Sequence, residues 1–156
     1  MKHEKEIKMN VSKVQCFMVK EPSSTKRFII DSPPDALKLL VGELHMDQSP
    51  VEEVYCLHLN SQKKVISYEL ISRGNHVQSD ASPNLILRGA ILNNANAIIL
   101  AHNHPSGMPQ PSDADRKTTR NLTAASKLIG VPLLDHFIIG SGGTFTSLRT
   151  VEPDLF

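Results

Sequence analysis

The chain has 156 residues, enough for one domain with a real core. Apolar residues make up 40%, which excludes a disordered chain. A formal net charge of +1 and an aromatic content of 4% with no Trp disfavour both a strongly electrostatic nucleic-acid binder and a base-stacking platform.

The first ten residues are polar, and residues 1–30 are read as a partly mobile N-terminal extension ahead of a domain over 31–156. "VSKVQCFMVKE" alternates as a strand does, and "KRFIIDS" continues it or lies beside it. "SPPDALKLLVGELHM" opens with Pro and Asp, then places Leu37, Leu40, Val41 and Leu44 at helical spacing. "VEEVYCLHLN" and "KKVISYELISRG" are β-rich runs separated by "SQ", which predicts a hairpin. "SPNLILRGAILNNA" reads as a helix, and "NAIILAHNH" as a buried strand. "SDADRKTTRNLTAASKLIG" predicts a helix with Ala114, Thr118, Leu122, Ala125 and Ile129 on one face, ended by Gly130. "VPLLDHFIIG" is a strand, "SGG" a turn and "TFTSLR" a last short strand, with "VEPDLF" unassigned. Interleaved strands and helices without a dividing linker predict a single mixed α/β domain.

Cys16 and Cys56 are far apart and form no CxxC, so a zinc ribbon or thioredoxin-type motif is not available. The charged start "MKHEKEIKMN" is followed by no long apolar run, and no segment approaches membrane-spanning length. The expectation is a cytoplasmic protein without a membrane anchor.

The stretch "AHNHPSGMPQPSDAD" carries the chemistry. Residues two apart on a strand point to one side, so His102 and His104 aim two imidazoles at one point if the strand persists. A turn through the Pro-rich loop brings Asp115, in the first turn of the next helix, back to the strand end. Two imidazoles and a carboxylate suit a divalent metal such as zinc, and three protein ligands leave a fourth position for water. The alternative is two surface histidines before a helix whose cap is Ser112 with Asp115.

His102-x-His104, seven residues, Ser112, two residues, Asp115 resembles the JAMM (MPN-plus) metalloprotease motif. "AHNHPSG", the following "P-x-PS-x-x-D" and the later "LLDHFIIG" are similar to the RadC branch of that superfamily, over roughly residues 50–149. The resemblance implies a cytidine-deaminase-like α/β fold with a curved mixed sheet flanked by helices. It implies zinc held by His102, His104 and Asp115, an upstream Glu that deprotonates water, and Ser112 steadying the oxyanion. Matching Leu59-Asn60 to the family's Leu-Asp or Leu-Asn pair puts that Glu at Glu52, with Glu53 facing the opposite side of its strand. Glu43 and Glu69 are weaker candidates.

Other residues read differently. His136 is taken as a buried histidine bonded to backbone, with orientation of a ligand as the alternative. Asp135 has the same two readings. His58, between Leu57 and Leu59, is expected on a solvated face. His3, His45 and His76 have no partners at ligand spacing, and "GSGG" reads as a hairpin turn. Arg116, Lys117 and Arg120 are read as a solvated basic face.

Two departures from the RadC pattern stand out. After Pro83, Asn84 and Leu85 replace a charged Arg-Glu pair, and the first fifty residues do not resemble the family's N-terminal helix-hairpin-helix module. The functional expectation is a zinc-dependent hydrolase of peptide or isopeptide bonds acting on an unknown protein or peptide. The alternative is a non-enzymatic DNA repair or recombination accessory with a structural or vestigial metal site, and nucleic-acid contact finds no support in the charge. Oligomeric state is not legible.

Overall fold

The computed structural model describes residues 28–74 and 82–156. The strand expected over 11–21, Cys16, His3 and His76 lie outside the described residues. The elements in chain order are α1 (Pro33–Leu40), β1 (Glu53–Leu59), β2 (Val65–Arg73), α2 (Pro83–Leu92), β3 (Ala97–Asn103), α3 (Asp113–Leu128), β4 (Leu133–Ile139), β5 (Phe145–Ser147) and α4 (Leu148–Val151). Short 3-10 turns at Met46–Gln48, Ser141–Gly143 and Pro153–Leu155 complete the order. The strands form one five-stranded sheet in the order β2-β1-β3-β4-β5. β3 and β4 are parallel, and the other neighbours are antiparallel. The predicted mixed α/β domain is therefore the observed one.

Two apolar layers cover the sheet. Ala36, Leu39 and Leu40 of α1, with Met46, pack on Leu57, Leu59, Ile99, Phe137 and Ile139. Ile86, Leu87 and Ala90 of α2, with Leu122 of α3, pack on Val54, Cys56, Ile98, Leu100 and Leu133. Burial on both faces explains why β3 is apolar nearly without interruption. It also corrects the expectation for His58, which is fully buried, because β1 is an interior strand with helices on both sides. Its Nδ1 lies 2.8 Å from Ser67 Oγ.

The hairpin turns as expected, through Asn60, whose side-chain oxygen accepts from Gln62 N and Lys64 N. The described part of "KRFIIDS" forms no full strand: it makes an isolated bridge, Ile29 to Lys64, flanked by Ile30 N–H to Lys63 O and Val65 N–H to Phe28 O, and buries Ile30 in the core. α1 begins where predicted, with Pro33 at the first turn and Asp35 accepting from Ser32 N–H at 3.1 Å. It is shorter than predicted: the chain leaves the helix after Leu40 and passes through a left-handed His45 (φ 52°), which lets Met46 bury completely. β5 also stops early, because Ser147 accepts from Thr150 N–H and starts a helical turn.

The largest correction concerns α3. Ala114 and Ile129 of the predicted apolar face are exposed, and the buried residues are Asp115, Thr119, Leu122, Thr123 and Ser126. The inward stripe is mostly polar, and two of its hydroxyls have partners: Thr119 Oγ1 donates to Asp115 O, and Ser126 Oγ donates to Thr123 O and accepts from Leu133 N–H. Apolar periodicity does not register such a face. α3 is the crossover between parallel β3 and β4, which sets its first turn beside the C-terminal end of β3. Among the described residues no helix is long and apolar enough to cross a membrane.

Burial lowers the His58 pKa to about 4. Between its unfolded value near 6.5 and about 4, the unfolded chain takes up a proton that the native state refuses. Stability contributed by neutral His58 is therefore present above pH 6.5 and lost as pH falls toward 4. Urea midpoints measured across this window should fall less steeply in His58→Gln than in the wild type.

Candidate metal centre

β3 ends at Asn103, but extended geometry carries on for one more residue because His104 N–H donates to Ile139 O of β4 at 2.9 Å. The two imidazoles therefore lie on one side, as the spacing predicts, with Nε2 atoms 3.0 Å apart. His102 is buried and His104 half-buried. Asp115 completes the group, with Oδ1 3.1 Å from His102 Nε2 and Oδ2 3.5 Å from His104 Nε2. These ligand atoms all lie within 4.8 Å of one another, and together they can hold a metal ion.

The connecting loop is held from both ends. Gly107 N–H donates to His104 O, and Ser141 N–H donates to Gly107 O. Gly107 has φ of 83°, and a Cβ there would stand 2.4 Å from Ser141 Oγ, so only glycine suits this turn. At the far end Ser112 caps α3: its Oγ accepts from Asp115 N–H at 3.1 Å, while Asp115 Oδ2 accepts from Ser112 N–H and Oγ–H at 2.7 Å each. The capping box thus occupies Oδ2 and leaves Oδ1 facing the imidazoles.

The hydrogen-bond partners decide the tautomers. Met108 O can only accept, so His104 Nδ1–H donates to it at 2.9 Å, and in the neutral ring Nε2 is left as an acceptor. Thr119 Oγ1 donates to Asp115 O at 2.7 Å, having one proton to give. It must therefore accept from His136 Nδ1–H, also at 2.7 Å. His136 Nε2, bare in the neutral ring, then accepts from His102 Nδ1–H at 2.9 Å. His102 Nε2 consequently presents a lone pair as well.

Three acceptors converging without a donor between them require a positive charge, which a proton or a metal cation can supply. Burial opposes the charged Asp115 carboxyl, but bonding to His102, His104 and Ser112 outweighs it and holds the group well below the usual carboxylate range. Asp115 accordingly raises the His104 pKa, against the opposing effect of burial. His136, completely enclosed, is pushed well below the ordinary histidine range by burial and stays neutral.

Glu52 lines the same small pocket as His102, Asp115 and His136, bounded on its apolar side by Val54 and Leu100. Burial raises its pKa, His102 and His104 lower it, and Asp115 raises it again. Glu53 points elsewhere and pairs with Arg73 at 3.0 Å. The residues singled out in the sequence, Glu52, His102, His104, Ser112 and Asp115, are therefore brought together, with the Ser112 hydroxyl committed to Asp115. Glu43 and Glu69 do not line this pocket.

His136 differs from its first reading: its ring bonds to His102 and Thr119, not to backbone. Asp135 is structural, accepting from Ser147 Oγ–H at 2.6 Å and from Arg149 and His136 N–H groups. Arg116 leaves the expected basic face for Glu152, which it meets at 2.8–3.0 Å. Sequence reading missed Thr119 and Asn103. Thr119 stands one helical turn after Asp115, the one signal that could have found it.

A mixed sheet with helices on both faces and a His-His-Asp group at the end of its parallel pair defines a JAB-type domain with a candidate metal site. The chain belongs to the RadC-like JAB domain family, whose model matches residues 30–152. It is similar to a UPF0758 protein of Symbiobacterium thermophilum, 43% identical over 99 residues, covering 64% of this chain and 42% of the relative. Others are UPF0758 proteins of Coxiella burnetii, 42% identical over 112 residues (72% and 49%), and of Ectopseudomonas mendocina, 39% identical over 113 residues (72% and 50%). The chain spans about half the length of the curated relatives it matches.

Elemental analysis should find bound metal in the wild type and little in His104→Ala or Asp115→Ala. Competition with a chromophoric chelator should show His136→Ala binding about 10–100-fold more weakly, because His102 Nδ1 loses its acceptor. Affinity should fall as pH falls through the raised His104 value, since protons compete for the same lone pairs.

Proposed function

We propose that this domain hydrolyses peptide or isopeptide bonds with a zinc ion at His102, His104 and Asp115 and Glu52 as general base. The observation that carries the reading is the half-buried Glu52 carboxyl in one pocket with the three converging acceptors. The donor set of two imidazoles and one carboxylate is that of an open zinc site. When bound, such an ion acts as a Lewis acid, acidifying water and polarising a carbonyl.

The chain's own residues do the rest. Glu52, its pKa raised chiefly by burial, is set closer to neutral pH than an exposed glutamate, which suits proton transfer in both directions. It takes a proton from the attacking water as the new C–O bond forms, and gives it to the departing nitrogen as the C–N bond breaks. Ser112 holds Asp115 through the capping box, and its hydroxyl, which donates to Asp115 Oδ2, would have to turn from that bond to meet negative charge developing on the carbonyl oxygen. Thr119 and His136 favour the His102 tautomer with its N–H on Nδ1 and its lone pair on Nε2, and Val54 and Leu100 form the apolar wall of the pocket.

A library of internally quenched peptides, with lysine-isopeptide members, tests this directly. The zinc-loaded protein should cleave a subset, a chelator should abolish cleavage, and Glu52→Gln should keep its metal while losing about 10²–10⁴-fold in kcat. Turnover that survives both chelator and Glu52→Gln would exclude the proposal.

A further inference from the structure

We propose that Asn103, the residue between the two candidate ligand histidines, positions Glu52 by clasping the peptide groups on either side of it. The proposal rests on the reading of Glu52 as the base.

β1 and β3 pair antiparallel, with Val54 opposite His102 as the final pair of the ladder. The next pair in that register is Glu53 opposite Asn103, and here a side chain replaces the backbone. Asn103 Oδ1 accepts from Glu53 N–H at 2.8 Å, and Nδ2 donates to Val51 O at 3.0 Å and to Ser49 O at 3.4 Å. The amide orientation is decided by its partners, since Glu53 N–H can only donate and Val51 O can only accept. One planar group thus bonds the carbonyl before Glu52 and the N–H after it, as a neighbouring parallel strand would. On its β3 side the segment is therefore held by a side chain, while Gly74 N–H donating to Glu52 O at 2.9 Å and the Glu53–Arg73 pair hold its β2 side.

Asn103 is 2% exposed, so these bonds have little competition from water. The task needs a donor and an acceptor on one short side chain. Asp lacks the donor, Ser lacks the reach and Leu lacks both. Period-2 alternation turns Asn103 away from the imidazoles, so its identity is dictated by the base and not by the metal. The same residues that bring two imidazoles together thereby fix the distance from them to the Glu52 backbone.

The test compares the zinc-loaded full chain with N103A, N103D, E52Q and E52Q/N103A. The assay uses the library peptide that the wild type cleaves fastest, with metal content by elemental analysis and Glu53 amide exchange by NMR. N103A and N103D should keep zinc and KM and lose about 100-fold in kcat, and N103A, which alone removes the acceptor, should speed Glu53 exchange. In the E52Q background N103A should cost almost nothing further, because its effect passes through Glu52. Zinc loss, unchanged kcat, or an equal loss in the E52Q background would overturn the proposal. If the wild type cleaves nothing, or E52Q cleaves as well as the wild type, the hydrolase reading fails. Asn103 is then judged on structure: Glu53 exchange unchanged in N103A overturns the clasp, and faster exchange with zinc retained upholds it.

Discussion

Three lone-pair atoms, His102 Nε2, His104 Nε2 and Asp115 Oδ1, meet at the end of β3 with no donor among them. Such a cluster calls for a positive charge at its centre and for partners that aim its lone pairs there. Each acceptor is therefore anchored from behind. Met108 O accepts from His104 Nδ1–H, His136 Nε2 accepts from His102 Nδ1–H, and the Ser112 cap fills Oδ2 of Asp115. The polar stripe of α3, otherwise an odd face to bury, follows from the same need, since Thr119 supplies the acceptor that fixes His136.

The position of the centre follows from the sheet. At the C-terminal end of the parallel β3–β4 pair the crossover into α3 brings a helix N-terminus beside the strand end, which is where open α/β sheets collect their ligands. There the backbone ladder runs out on both sides of β3. A main-chain bond from His104 to Ile139 O holds one side and the Asn103 carboxamide holds the other. The strand end is thus rigid without being fully paired, which leaves space in front of the imidazoles.

Much of this was legible in the residues. The Pro-Asp start of α1, the hairpin about Ser61-Gln62, the apolar run of β3 and the His-x-His to Asp115 spacing are local patterns, and the structure has each in place. What was misread has one cause. His58, the α3 face and Arg116 are read from the local chain and His136 from its motif, whereas their partners come from distant parts of the chain: α2 and Ser67 for His58, Thr119 and His102 for His136, Glu152 for Arg116. A polar residue is legible as buried only when its partner is known.

The sequence by itself determined the mixed α/β class, the order of the elements and the three side chains that converge, because strand and helix periods fix which way neighbouring residues point. Only the tertiary structure decided which nitrogen of each histidine carries the proton, which oxygen of Asp115 stays free, and what holds the Glu52 segment in place. Those depend on contacts between residues tens of positions apart, such as Asn103 with Glu53 and His102 with His136, and no local pattern in the chain encodes them.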